Sequence, residues 1–139
     1  MTGVQTCALP IFRLVADGDT LFPGQPGTVV AVTGAFADKN PAAVQALVSG
    51  LVEAADLLTR SPEQAVPHVG RALGKGLVDP ALLLAALKSP ATRFEIDPRK
   101  IVEPTRAMQA YQVKLGSLDK ELPLDGLFDT RFYEAATKK

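Results

Sequence analysis

A chain of 139 residues suffices for one domain of ordinary size. Its 15 Lys+Arg cancel its 15 Asp+Glu, so no net field gathers nucleic acid or anionic lipid, and 47% hydrophobic against 22% charged residues excludes a disordered chain. No uninterrupted apolar run approaches the roughly 18 residues of a membrane span, and one cysteine with one histidine leaves little for metal or thiol chemistry.

The opening MTGVQTCALPI fits no biological segment. A secretory signal needs basic residues ahead of an apolar stretch of about 7–15 residues. No Lys or Arg precedes Arg13, and Gln5, Thr6 and Pro10 interrupt any such stretch. Val4-Gln5-Thr6-Cys7 loosely matches a lipoprotein acylation box, but the few residues before it cannot form the membrane-inserting run that such a box requires. Gly3 and Pro10 frame a stretch without strand alternation. Met1–Ile11 instead resembles the translation of a widely used short-read sequencing adapter, with GTG read as the start codon. The adapter's leftover T must begin the next codon, as every Phe codon does, and Phe12 follows. We therefore expect residues 1–11 to be foreign and the rest to be the C-terminal part of a longer protein. The only cysteine, Cys7, then drops out, which is compatible with an oxidising compartment.

From Phe12 onward the expected elements run as follows. Phe12–Ala16 reads as a short strand entering a turn at Asp17-Gly18-Asp19. LFPGQPG is a stiff loop, with Pro23 and Pro26 fixing φ while Gly24 and Gly27 allow positive φ. TVVAVT, residues 28–33, reads as a β-branched strand buried on both faces. Everything after Gly34 reads helical, with four to five helices expected. Asn40-Pro41, Ser61-Pro62, Asp79-Pro80 and Asp97-Pro98 each place a capping side chain before a proline at the first helical position. Gln64 stands where a capping box with Ser61 requires it.

The first long helix, Pro41–Arg60, carries Val44, Leu47, Val48, Leu51, Ala55 and Leu58 on one stripe, with Gln45, Ser49, Glu53, Asp56 and Arg60 away from it. A second helix opens at Pro62, is kinked by Pro67 and stops at Gly74 or Gly76. A short apolar helix, Pro80–Lys88, and an extended linker around Ser89-Pro90 follow. The last long helix spans Pro98 to Leu115, buries Ile101, Met108 and Leu115, is tightened or bent by Pro104, and stops at Gly116. The regular cap-plus-proline spacing also suggests a helical repeat, but the segments between caps share no residue pattern.

Few residues point to chemistry, and no catalytic residue, cofactor or metal ligand is assigned. His68 has no neighbouring cysteine to make a metal or thiol–histidine site and reads as a surface residue of the second helix. Glu53/Asp56 lies on a wet helix face, and in Glu95/Asp97 the second carboxylate is better used as a cap. Gly24-Gln25-Pro26-Gly27 reads as a turn and Gly74-Lys75-Gly76 as a helix stop, neither having the context of a phosphate loop. Lys138-Lys139 reads as a solvated tail.

The stretch VVAVTGAFADKNPAAVQALVSGLVEAADLLTRSPEQAV, residues 29–66, resembles the C-terminal half of solute-binding proteins of ABC importers in the nitrate/sulfonate/taurine group. LPLDGLFDTRFYEAA, residues 122–136, resembles that family's closing segment, so the likeness spans nearly all of residues 12–139. It implies a two-lobed α/β parent, the type 2 periplasmic-binding-protein fold, that captures a small anionic solute by hinge closure and makes or breaks no bond. Residues 12–33 would then carry the hinge crossing between lobes, and residues 34–139 the C-terminal helical part. Phe22, Gly24 and Gln25 lie nearest that crossing and are the implied ligand contacts, unless they only shape a turn. The implied partner is an ABC permease in the membrane, not nucleic acid. The implied location is the periplasm, or the cell surface as a lipoprotein, with the complete protein monomeric. Two alternatives stand beside it: an enzyme of the same fold that makes the thiamine pyrimidine, some of which use a protein histidine as substrate, and a helical interaction module. Because TVVAVT and the helix stripes need partners from upstream, the chain alone is expected to be unstable or prone to aggregate.

Overall fold

The computed structural model describes residue 16 and residues 18–74 and 76–138. These are mostly helical, 61%, and contain no strand. They divide into two compact units: Leu51–Phe94, and residues 16–50 together with residues 95–138. The division falls inside one helix, between Gly50 and Leu51.

The N-terminal expectations need correction. The adapter-like residues 1–11 and the expected strand Phe12–Ala16, apart from Ala16, lie outside the described residues. Of the expected turn at residues 17–19, residue 17 lies outside the described residues, and residues 18 and 19 instead open one helical turn, α1 (Gly18–Leu21). Residues 28–33, expected as a buried strand, have no regular structure, and Val29, Val30 and Val32 are 59%, 63% and 45% exposed. The reason is pairing. A strand is held by hydrogen bonds to a neighbour, and no neighbouring strand exists among the described residues. Of the two loop glycines, Gly24 takes positive φ (72°), whereas Gly27 does not.

The unit of residues 16–50 and 95–138 also holds α2 (Gly34–Lys39), the first half of α3 (Pro41–Arg60), α6 (Val102–Lys114) and α7 (Arg131–Thr137). Thr33 caps α2, its Oγ1 accepting the Phe36 N–H at 3.2 Å, and Ala37 is buried. Asn40 does not cap α3 with its side chain as expected. Its backbone N–H and its Nδ2 both donate to the Phe36 carbonyl, closing α2 instead. The amide is thus turned toward the end of α2, and its Oδ1 accepts no N–H of α3 among the described residues.

Gln45, expected on the wet face of α3, is half-buried and donates from Nε2 to the Phe132 carbonyl at 3.0 Å, tying α3 to α7. A 3₁₀ turn (Pro98–Ile101) precedes α6. Pro104 accounts for it, because its missing N–H and its ring bar an α-type bond to the carbonyl of Lys100. The helix ends in a Schellman motif: Gly116 (φ 72°) donates to the Val113 carbonyl and Ser117 to that of Gln112. Ile101 and Met108 are half-buried, but Leu115, in the capping position, is 61% exposed. Buried Gln109 accepts the Leu122 N–H at 2.8 Å and donates back to the Leu122 carbonyl at 3.3 Å, which pins the segment after Gly116.

In the unit Leu51–Phe94, α4 (Pro62–Leu73) and α5 (Pro80–Leu87) form an antiparallel hairpin, with Lys88 beyond the end of α5 bonded to Glu63 at the start of α4, 2.5 Å. Gly70 faces Leu83, since a Cβ there would stand in ordinary contact 3.5 Å from Leu83 Cδ1, and Leu83 and Ala65 are buried. Asp79 caps α5 as expected, accepting the Ala81 N–H at 2.7 Å. Ser61 makes no side-chain cap, and its N–H is already given to the Leu57 carbonyl of α3, so the capping box with Gln64 has no donor to use.

Six α-helices follow residue 33 among the described residues, against four to five expected; the short α2 and α7 are the additions. By length and average composition α3 is the one described helix that could cross a membrane. Its Glu53 and Asp56 give it a polar side, and of its apolar stripe Val44 and Ala55 are buried while Leu47 and Leu51 stay exposed.

Candidate functional site

The loop carrying Phe22, Gly24 and Gln25 is built by short-range bonds. The Phe22 N–H donates to the Gly18 carbonyl at 2.8 Å and the Gln25 N–H to the Phe22 carbonyl at 3.1 Å, closing a turn. The Gly24 N–H donates to Asp19 Oδ1 at 3.1 Å, so it is already used. A Cβ at Gly24 would lie 3.3 Å from Pro104 Cγ, so the loop sits closely on the start of α6. The Phe22 ring meets the Tyr111 ring edge-on, centroids 5.0 Å apart. Gln25 Oε1 is buried and has no hydrogen-bond partner among the described residues. The structure thus brings the three residues into one turn. Gly24 shapes it, Phe22 anchors it, and Gln25 turns an unpaired amide oxygen inward, an arrangement that a hydrogen-bond donor would complete.

A second polar group starts from the cap expected at Asp97 and adds to it a grip on Arg99 that was unforeseen in the sequence. Asp97 Oδ1 accepts both the Arg99 backbone N–H (3.0 Å) and Arg99 Nε (2.8 Å), while Oδ2 accepts Nη2 (2.7 Å). Asp129 and Arg131 repeat the device: backbone N–H 3.1 Å, Nε 3.0 Å and Nη2 2.7 Å. The legible signal is Asp-x-Arg at a helix start, where one carboxylate can cap the backbone and grip the guanidinium in a two-point fork. Arg99 also lies over the Tyr133 ring, 5.6 Å from its centroid.

These contacts fix the charges. The Arg99 guanidinium holds the Asp97 carboxyl below the usual carboxylate range despite burial, and Arg131 does the same for Asp129. Burial pushes Glu95 upward, yet Lys100 and the backbone N–H groups of Asp97 and Ile96 together hold it below its ordinary value. Glu95 and Asp97 are therefore ionised structural partners, not a general acid–base pair. Asp56, the other spaced carboxylate, pairs with Arg60 at 2.7 Å on the exposed face of α3.

Two shallow clefts accompany this loop. One of about 410 Å³ lies between α2, α3 and α7, with Asp38, Gln45, Arg131 and Phe132 on its walls. The other, about 540 Å³, lies in the unit Leu51–Phe94 against Leu58, Lys88, Thr92 and Arg93. Their cations are engaged: Arg131 by Asp129, Lys88 by Glu63, and Arg93 by a contact of its own. Neither cleft is lined by Phe22, Gly24 or Gln25. His68 is exposed on α4, and no group of three or more His, Cys, Asp or Glu among the described residues could hold a metal ion.

Residues 11–69 match the model of the NMT1-like family, a family of nitrate/sulfonate/taurine-type binding proteins. The match covers α1, α2, α3 and the first two turns of α4, including the loop of Phe22, Gly24 and Gln25. No curated protein and no solved structure matches the chain.

Proposed function

We propose that the chain is part of the substrate-binding component of an ABC importer, taking a small anionic solute such as a sulfonate, taurine or nitrate by hinge closure and presenting it to a membrane permease outside the cytoplasm. The observation that carries this reading is the family match over residues 11–69, a family consisting mainly of binding proteins. The ionised, partnered state of Glu95, Asp97 and Asp129 supports it as well, since none of these carboxyls is poised for proton transfer. Within that reading Phe22 and Gln25 edge the solute cleft, with Gln25 Oε1 awaiting a donor, and Gly24 holds the turn. Taurine's ammonium supplies such a donor, whereas nitrate engages the amide through its Nε2 end.

The test is calorimetry on the complete protein recovered with its upstream gene, against taurine, alkanesulfonates, nitrate and pyrimidines. Binding of one of the anions or of taurine is expected, with Gln25→Ala weakening it about tenfold, the loss of one buried hydrogen bond. Binding of pyrimidines alone would move the assignment to the thiamine-pyrimidine enzymes. The same recovery tests the adapter assignment of residues 1–11: amplification across the junction is expected to yield a different sequence before Phe12.

A further inference from the structure

Residues 28–33, Thr-Val-Val-Ala-Val-Thr, stand fully in the exposed class, and the backbone N–H and C=O groups of residues 28–32 have no hydrogen-bond partner among the described residues. Such a row of free donors and acceptors, bearing β-branched side chains and no proline, is a template for pairing with another chain. We propose that its partner is the same segment of a second copy, lying antiparallel.

The sequence itself argues for that occupant. TVVAVT reads almost the same in both directions. An antiparallel register centred between Val30 and Ala31 places Thr28 opposite Thr33, Val29 opposite Val32 and Val30 opposite Ala31. Threonine can then bond threonine across the strands while the valines pack on each other. No charged residue lies between Asp19 and Asp38, so two copies meet without repulsion. The flanking Gly27 and Gly34 have nothing within 4 Å of a Cβ position, which leaves the approach open at both ends. Two strands alone are marginal in water, so the association is concentration-dependent, and the outer edges left free favour growth beyond a dimer. This inference does not rest on the solute-binding reading and survives its failure.

Sedimentation of the 139-residue chain over a wide range of concentrations tests it. The apparent mass is expected to rise twofold or more, with amide exchange at residues 28–33 slowing in step. Val30→Lys and Ala31→Glu, each alone, are expected to weaken association about tenfold or more, with helix content unchanged by circular dichroism. An equimolar mixture of the two variants is expected to associate again, because the new lysine of one copy faces the new glutamate of the other. A constant mass for the natural chain, or variants that associate as it does, would overturn the proposal. A mixture no stronger than either variant would overturn the antiparallel register.

Discussion

Asp97 performs two tasks with one carboxylate, capping the turn at Pro98 and gripping the guanidinium of Arg99 while itself 8% exposed. Its pKa is lowered in the folded chain by Arg99, so the ionised form is the one that folding favours. The stabilisation is therefore present above the unfolded Asp value of about 3.9 and is lost as pH falls through the lower folded value. NMR titration is expected to find the Asp97 carboxyl below the usual range, and exchange at the Arg99 amide is expected to accelerate on acidification. Asp97→Asn keeps a capping oxygen and removes the charge, so the acid-dependent part at this site disappears. Asp97→Ala removes both, at a capping cost of about 1 kcal/mol, up to ~2. A titration at or above the ordinary carboxylate value would refute the pairing. Caps were legible in the sequence at Asp79 and Asp97 because a cap is settled within three residues. They were not legible at Asn40 and Ser61, because whether a side chain is free to cap depends on where the preceding helix stops.

The glycines of the helices separate two effects that composition alone merges. Gly50 lies inside α3 with nothing within 4 Å of a Cβ position and ordinary helical φ. Gly116 closes α6 at φ 72°, also in open space. Gly50→Ala is expected to raise helix content, favouring the helix by about 0.5–1 kcal/mol through lost backbone freedom in the unfolded chain. Gly116→Ala is expected to fray the last turn of α6, at about 1 kcal/mol, because an alanine there must adopt left-handed backbone. Circular dichroism reads the first and amide exchange over residues 111–115 the second. Like signs for the two would refute the account.

The long helices were legible because hydrophobic period, proline starts and glycine stops are local and agree with one another; α3 runs over the expected Pro41–Arg60. The irregular course of residues 28–33 was not, since strand-forming residues make a strand only where a partner exists. Among the site residues, the turn of Phe22, Gly24 and Gln25 could be anticipated from glycine and proline, and Asp19, which accepts the Gly24 N–H, stands only five residues before it, whereas the meeting of the Phe22 and Tyr111 rings depends on chain distant in sequence.

At the scale of the whole molecule the deciding quantity is how little apolar surface is covered. The buried apolar residues among those described are Ala37, Val44, Ala55, Ala65 and Leu83, three of them alanines, and no large side chain is fully enclosed. Meanwhile Leu47 and Leu51 on the apolar stripe of α3 remain 44% and 37% exposed, and Val29, Val30 and Leu127 more so. Burial of a leucine or valine contributes about 1.5–3 kcal/mol and an alanine much less, while each ordered residue costs about 1–2 kcal/mol of backbone entropy. A core of this size leaves cooperative stability in deficit unless something covers the remaining leucines and valines. The surface ion pairs do not offset that, since Asp56–Arg60 and Glu63–Lys88 are solvent-exposed and such pairs contribute little. The 139-residue chain alone is therefore expected to melt broadly, to bind an environment-sensitive apolar dye strongly, and to lose helix at low urea. On the proposal that the chain continues upstream of Phe12, the longer protein is expected to melt in one sharp step without dye binding. A sharp, reversible melt of the 139-residue chain at low concentration, with no dye bound, would show instead that these helices suffice by themselves.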